Sequence, residues 1–499
     1  MATPIAPNTA TVTTRAAAEA TGGRIVRADG HVGDGADGVL ARGITSDSRA
    51  VVAGSAFVAL AGEKFDGHDF VAMATNRGAA LLVVARGRAP GPEVTGTADV
   101  VEVDDTLVAW GRLAQAHVRD WRAHRADASL TAITGSAGKT TTKELCAALF
   151  RSRGSCHASA GNLNNRVGVP AVAFGLTPEH RYAVFEAGMS LRGEMAALAE
   201  ILAPDVAVIT NVGIAHAEGV GGTRADVARE KGALLAALSE SGVAIVRRED
   251  DAAMAQVART RAKRVVTFGT TEGAGYRLVD RSASRVDGGV VWIERAGERI
   301  QLHLPIPGEA AALDLMAALA ATEAVTGPMR GEEITYALRA HLPAIAGRMH
   351  VRHAANGTIV LDDSYNANPE SVRAALRTLG EVSEARGRRA VVVLGEMREL
   401  GPLADDEHAA LGSSIAASHA TLAVAIGDVA ELAIAAAEGT GVTGVRAADA
   451  EQAGRVAATL VEPGDVVLVK ASRSVGAERV VLALLQAGGG EIAAPAEAR

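Results

Sequence analysis

A chain of 499 residues, at roughly 150 per domain, predicts about three domains and excludes a single small binding module. Hydrophobic residues make up 48% and charged residues 22%, enough apolar surface for sizeable cores, yet no run reaches the ~18 uninterrupted apolar residues of a membrane span. Acidic side chains outnumber basic ones 58 to 50, for a formal net charge of −8, and no Lys/Arg block tracks a phosphate backbone, which argues against nucleic acid as the main partner.

The first residues, MATPIAPNTATVTTRAAAEATGG, lack the basic-then-apolar layout of a signal peptide, and two cysteines, Cys146 and Cys156, make no disulfide framework. A cytoplasmic protein is expected. Residues 40–110 alternate short apolar runs (55–60, 80–85, 99–103) with turns, including GEKFDGHDF at 62–70, and read as a small α/β domain. A helical stretch over 106–125 then leads to a different rhythm. From 130 onward the apolar runs LTAITG, YAVFEAG, DVAVITNVG, GVAIVR and RVVTFG alternate with helical segments, the pattern of a parallel sheet covered on both faces. Residues 275–305 change to a two-residue period around an Asp-Gly-Gly turn, predicting an antiparallel addition at the sheet edge. A second doubly wound pattern starts near 345, with strands TIVLDDS, AVVVLGEM, LAVAIGD and DVVLVKAS. The tail GGGEIAAPAEAR reads as disordered. The fold class is therefore α/β in three domains: 1–123, a central 124–343 built on a phosphate-binding turn, and a Rossmann-like 344–499, with a hinge expected near 340–346.

The sharpest local signal is LTAITGSAGKTTTKE at 130–144, an apolar strand, a glycine turn and Gly138-Lys139-Thr140 opening a helix. Backbone N–H groups of Gly135, Ser136, Ala137, Gly138, Lys139, Thr140 and Thr141 are the candidate cradle for ATP phosphates, with Lys139 on the terminal phosphates and the Thr140 hydroxyl on Mg2+. Ile133 stands where the standard spacing has its first glycine, so the loop is a shortened variant. Such a turn needs an acid at a neighbouring strand end, and Glu186 ends YAVFEAG. His216 follows the next strand in ITNVGIAHAEG, so Glu186, His216 and the turn are expected to converge outside the carboxyl ends of the strands. Only six of the fifty Lys/Arg residues are lysines, among them Lys139, Lys231 and Lys470, which makes each worth weighing as a point charge or a reactive amine. By spacing alone, Lys231 in DVAREKGALLAAL is a helical surface lysine.

TGSAGKTTTKE, GNLNNRVGVP at 161–170, TNVGIAHAEG and Arg229-Glu230-Lys231 together resemble the Mur ligase family, ATP-dependent enzymes that build the peptide stem of peptidoglycan. The resemblance implies a carbamylated Lys231 that holds a second Mg2+ with His216, while Thr140 and Glu186 serve the first. It implies that Asn164 and Asn165 face the substrate. ITSDSRAVVAGSAFVALAGEKFDGHDF at 44–70 is similar to the UDP-binding domain of stem-extending members, with Ser46, Asp47, Ser48 and Arg49 near the uridine diphosphate. GRMH at 347–350, VLDDSYNANPES at 360–371, VVVLGEMRELG and VKASRS at 469–474 resemble the C-terminal domain of the members that add D-alanyl-D-alanine. That implies Arg348 and Asp363 at the nucleotide, and Asn366, Lys470 and Arg473 near the acyl phosphate or the substrate. The partners implied are a UDP-N-acetylmuramoyl-tripeptide and D-alanyl-D-alanine, acted on by a monomer. Where the family carries a His-Asn pair and a later Asn near adenine, this chain has Ala310, Ala311 and Asp314, and alanine offers a base no side-chain hydrogen bond. The competing readings are another ligase of the superfamily, adding a single amino acid to a UDP-muramyl peptide or glutamate to folate, a catalytically weak nucleotide-binding relative, and a P-loop kinase or regulatory ATPase.

Overall fold

The computed structural model describes residues 7–26, 38–62, 66–285 and 288–492. Lys64, Asp287 of the expected edge turn and residues 493–499 of the expected disordered tail lie outside the described residues.

The N-terminal sheet runs in the order Arg24–Val26, Asp99–Val103, Leu81–Ala85, Ala56–Val58 and Ile44–Thr45, parallel except for the antiparallel first strand. A two-stranded ladder, Thr11–Thr13 with Leu40–Arg42, stands beside it and is not legible in the apolar pattern, being three residues a side. The helix Thr106–His124 starts where the Asp105 carboxylate accepts from the Leu107 and Val108 N–H groups. It packs on the helix Thr14–Thr21 of its own domain and also on the neighbouring one: the Trp110 indole donates to the Val167 carbonyl at 2.9 Å and stands edge-on to Phe174, and the Trp121 indole donates to the His180 carbonyl. The helix thus joins two units that sequence placed on either side of 123.

The central sheet has nine strands, from Cys156–Ala158 at one edge through Tyr182–Glu186, Ser129–Thr134, Val206–Ile209, Val243–Arg247, Arg264–Gly269 and Tyr276–Arg285 to Gly288–Arg295 and Glu298–Leu304. The five apolar runs read from sequence are adjacent and parallel; four are buried as both-face covering requires, whereas Arg264–Gly269 is buried only at Phe268 and Gly269 and leaves Val265 exposed. The edge addition is antiparallel, as its alternation predicts, and has three strands. The chain leaves Ser129–Thr134, makes the far edge, returns to one side of that strand at Tyr182–Glu186 and then crosses to its other side at Val206–Ile209. This reversal puts a crevice at the carboxyl end of Ser129–Thr134, where an open parallel sheet takes its ligand. One face is closed by the Ala-rich helix Glu309–Thr326, every residue of which from Ala311 to Glu323 is buried, largely against the helix Lys139–Arg151. Among the described residues no single helix is long and apolar enough to cross a membrane.

The C-terminal sheet carries five parallel strands in the order Thr443–Ala447, Ala420–Ile426, Ala390–Gly395, Val466–Lys470 and Ile359–Asp363, then His350–Ala354 and Glu491–Ile492, both antiparallel. The last strand corrects the expectation of disorder over 488–492. Glu491 and Ile492 pair with Ala354 and His353, and the Arg352 guanidinium grips the Glu491 carboxylate, a contact from outside the segment.

Candidate active site

The phosphate-binding turn follows directly from the strand Ser129–Thr134. Gly135 and Gly138 both have positive φ, 158° and 81°, and Gly138 opens the helix Lys139–Arg151. Gly138 admits no side chain, because a Cβ there would lie 2.2 Å from Asp314 Oδ1. The turn is pinned from the next strand end: Thr210 Oγ1 and Asn211 Nδ2 donate to the Ala137 carbonyl, and Asn211 Oδ1 accepts from the Ala137 N–H. Lys139 Nζ donates to the Gly135 carbonyl at 2.8 Å, so its ammonium lies over the turn. Burial lowers its pKa and the Arg348 charge lowers it further, against Glu186, which raises it.

Glu186, buried at its strand end, accepts from the Thr140 hydroxyl at 2.8 Å and from Asn164 Nδ2 at 2.7 Å. The structure therefore joins turn, Thr140, Glu186 and Asn164 as one oxygen-rich cluster. Asn165 is committed elsewhere, its Oδ1 accepting from the Val167 and Gly168 N–H groups just ahead of the helix Gly168–Ala173. Lys231 is 1% exposed, at the end of the helix Arg224–Lys231, correcting the surface position that spacing alone gives it. Burial pushes its amine far toward the neutral form and the Lys139 charge adds to this, with Glu230 opposing. His216 has φ 63° and its Nδ1 meets the carboxylate of Glu399, itself at φ 64°, in the C-terminal domain. Two side chains other than glycine held in this region mark a contact that the surroundings enforce. Its charged partner is thus Glu399 rather than Glu186 or Lys231, and among the described residues no three His, Cys, Asp or Glu side chains come together as a metal cluster.

A cavity of about 490 Å³ extends from the turn between the central and C-terminal domains. Its walls bring together Ser136 to Thr141, Arg348, Asp363, Asn366 and Lys470, which sequence named, with Asn211, Asn368 and Glu370, to which it gave no part in ATP or substrate binding. Lys470, 1% exposed, is bound to the Asp363 carboxylate and donates to the Asn366 carbonyl at 2.9 Å. Burial lowers the Lys470 pKa, partly countered by Asp363. Arg348 and Arg473 both stack on the Tyr365 ring, 4.5 and 5.1 Å from its centroid, so one aromatic ring orders two cations. Ala310 and Ala311 line the same cavity toward the strand ends of Arg247 and Phe268. Asp314 lines the cavity too, but its carboxyl lies under Gly138 and accepts from the Thr142 hydroxyl at 3.1 Å. Burial pushes its carboxyl up to about 8, against the Thr142 hydrogen bond and the charges of Arg247 and Arg348.

In the N-terminal domain Asp47 binds its own loop, accepting from the Arg49 N–H at 2.9 Å and pairing with its guanidinium, which holds its pKa below the usual carboxylate range. The Ser48 hydroxyl lies against Met73 Sδ, Ser46 is half-buried, and the Arg49 side chain is 84% exposed.

Three family models match the chain in order: the catalytic domain of the Mur ligase family at 41–117, the Mur ligase middle domain at 133–322, and the glutamate ligase domain of Mur ligases at 347–473. The chain is 33% identical to the UDP-N-acetylmuramoyl-tripeptide--D-alanyl-D-alanine ligase of Escherichia coli, over 89% of this chain and 94% of that protein. It is 36% identical to the ligase of the same name from Treponema pallidum, over 88% and 92%. In three dimensions it is similar to a crystal structure of MurF from Acinetobacter baumannii, with TM-score 0.82 and 28% identity over 97% of this chain and all of that one. It is also similar to MurF from Thermotoga maritima in complex with ADP, with TM-score 0.76 and 27% identity over 89% and 97%. With all three modules in order, and relatives matched along nine-tenths of its length, the chain belongs to the Mur ligase family.

Proposed function

We propose that this chain is an ATP-dependent, ADP-forming ligase that joins D-alanyl-D-alanine to a UDP-N-acetylmuramoyl-tripeptide in peptidoglycan precursor synthesis, acting in the cytoplasm as a monomer. The observation that carries the reading is the single cavity in which the phosphate turn of the central domain faces Arg348, Asp363 and Lys470 of the C-terminal domain. The domains run 1–123, 124–343 and 344–499.

A carboxylate is a poor acyl donor, because oxide is its leaving group. In the proposed reaction the terminal carboxylate oxygen of the tripeptide attacks the γ-phosphorus of ATP, and the bond to the β,γ-bridging oxygen breaks to release ADP. The amine of D-alanyl-D-alanine then attacks the acyl phosphate carbon, loses a proton, and expels inorganic phosphate. Little covalent work falls to the protein, which positions the reactants and neutralises charge. Lys139 and the turn N–H groups would hold the β- and γ-phosphates. Arg348, fixed on Tyr365, would meet the nucleotide from the other domain, and Arg473 on the same ring would face the substrate side with Asn366 and Lys470. Ser46, Asp47, Ser48 and Arg49 would hold the uridine diphosphate, Asp47 setting the loop.

The donor set suits magnesium. Thr140 and Glu186 offer neighbouring hard oxygens, and an ion that keeps few protein ligands takes the rest from phosphate and water. Lys231 would serve a second ion as a carbamate, since its amine, held toward the neutral form by burial, is the form that adds carbon dioxide and loses a proton to leave a carboxylate-like ligand; His216 would join it on leaving Glu399. Bound magnesium supplies charge neutralisation at the phosphates.

The test is phosphate release from ATP with Mg2+ and UDP-N-acetylmuramoyl-tripeptide, with and without D-alanyl-D-alanine, while the product is followed by mass. Release and product that both need the dipeptide are expected. Turnover with single amino acids instead, or ATP binding with no product from any of these, would overturn the reading.

A further inference from the structure

The DDSYNANPES segment reaches across the domain boundary at one place. Ser136, the second residue of the phosphate turn, is 6% exposed and each of its polar atoms has a partner. Its N–H donates to the Asn211 carbonyl at 3.0 Å, its hydroxyl accepts from the Gly213 N–H at 2.8 Å, and its carbonyl accepts from Asn368 Nδ2 at 2.9 Å. The carbonyl of Ser136 and the N–H of Ala137 belong to one peptide plane. Two asparagines therefore grip that plane from opposite edges, Asn368 at the oxygen and Asn211 Oδ1 at the hydrogen. Only Asn368 belongs to the C-terminal domain.

Asn368 is itself held. Its Oδ1 caps the helix Pro369–Arg386 by accepting from the Ser371 N–H at 2.9 Å, and its own N–H donates to Ser371 Oγ at 3.1 Å. With the oxygen committed to the cap, the amide NH2 can only point outward, toward Ser136. The docking surface is close: Glu370, two residues on, sits over Gly213, where a Cβ would lie 2.3 Å from its carboxyl carbon, and its Oε1 accepts from the Ile214 N–H at 3.4 Å.

We propose that Asn368 is a positioning residue for phosphoryl transfer, fixing the Ser136–Ala137 peptide of the phosphate turn from the C-terminal domain. Peptide orientation at 136–137 is passed to Gly138 and to the N–H groups that open the helix at Lys139, so the cradle takes its working shape when the domains are docked. Misplacement of a reacting group by about 1 Å costs up to 10²-fold in rate. A grip that exists only in the docked arrangement acts on turnover rather than on first capture of nucleotide.

This inference rests on the ligase reading, and its test separates the two. Asn368→Ser and Asn368→Asp each keep an oxygen cap for the Ser371 N–H and lose the donor to Ser136. Expected for Asn368→Ser are an unfolding midpoint within about 2 °C of the parent, kcat lower by about tenfold, as one lost hydrogen bond allows, and KM for ATP changed by less than about twofold. Asn368→Asp, with a carboxylate facing a carbonyl, should lose more. Hydrogen exchange of the 133–142 segment with ADP bound should be faster in both. Parent kcat and parent exchange in both variants, or a kcat loss that follows only a loss of folded protein, would overturn the proposal. If the parent itself makes no product from D-alanyl-D-alanine, the ligase reading fails, while exchange of 133–142 with ADP still decides for or against the grip.

Discussion

Asp314 allows a pH dependence to be worked out in sign and size. Burial under Gly138 raises its carboxyl from the ordinary aspartate value of 3.8 to about 8, so between those pH values the folded chain holds a proton that the unfolded chain releases. Stability falls as pH rises wherever the folded state binds more protons. The contribution is therefore fully present below pH 3.8, declines through the window, and is gone above about 8. The slope is ~1.4 kcal/mol per pH unit, so the loss is about 4 kcal/mol by pH 7 and about 6 at its limit. An asparagine side chain in its place would keep the shape and the acceptor for Thr142 without titrating. Asp314→Asn should then gain on the parent steadily from pH 5 to 8 and level off above, and the gap between their nucleotide-free thermal midpoints measures it. Titrations of groups that do not touch Asp314 are common to both proteins and cancel in the difference. A gap that does not change with pH would refute the reasoning.

Gly138→Ala should abolish nucleotide binding while leaving the N-terminal domain folded, because a Cβ meets Asp314 at 2.2 Å and φ is 81°; ADP affinity by calorimetry checks it. Lys470→Met should destabilise the C-terminal domain by ~3–5 kcal/mol, since it leaves the buried Asp363 carboxylate without its cation, and denaturant unfolding reads this directly. Lys231→Ala should lower kcat by at least about 10²-fold with the fold intact, and the parent grown or equilibrated with 13C-bicarbonate should show a carbamate carbon signal that the variant lacks. Tyr365→Phe should keep the kcat/KM of the parent within about threefold and Tyr365→Leu should lose about tenfold, because the ring face, not the hydroxyl, orders Arg348 and Arg473.

What sequence could reveal here follows the range over which each signal acts. The strand Ser129–Thr134, its glycine turn and the helix after it are contiguous, so their chemistry is written in one stretch of chain. Glu186 could be placed because a parallel strand's carboxyl end must lie beside the turn. An Asn-Pro pair marks a helix start, but nothing local marks the second bond of Asn368, which goes to a residue 232 positions away. Glu399 lies within the VVVLGEMRELG segment, yet nothing local gives it a partner; its meeting with His216 depends on two left-handed residues in different domains. Burial of Lys231 was hidden too, because the helix Arg224–Lys231 has charged residues on all sides and shows no apolar stripe. The edge strands Cys156–Ala158 and Glu491–Ile492 are too short for periodicity to register, and pairing with a longer neighbour is what makes them strands.

The helix Glu309–Thr326 has consequences for synthesis of the protein. It is apolar all round, and with the following helix Gly331–His341 it would satisfy the length and hydropathy of a membrane segment were the pair not bent by 109°. On a ribosome such a stretch is a hazard, because an exposed apolar helix invites aggregation or capture by insertion machinery. The order of the chain answers the hazard: the helix Lys139–Arg151 and the four strands that make its berth, Val206–Ile209, Val243–Arg247, Arg264–Gly269 and Tyr276–Arg285, are all translated earlier, so the greasy segment leaves the exit tunnel after its resting place. Moving it ahead of residue 139 by circular permutation would remove that shelter, and the permuted chain should need a chaperone that the natural order spares.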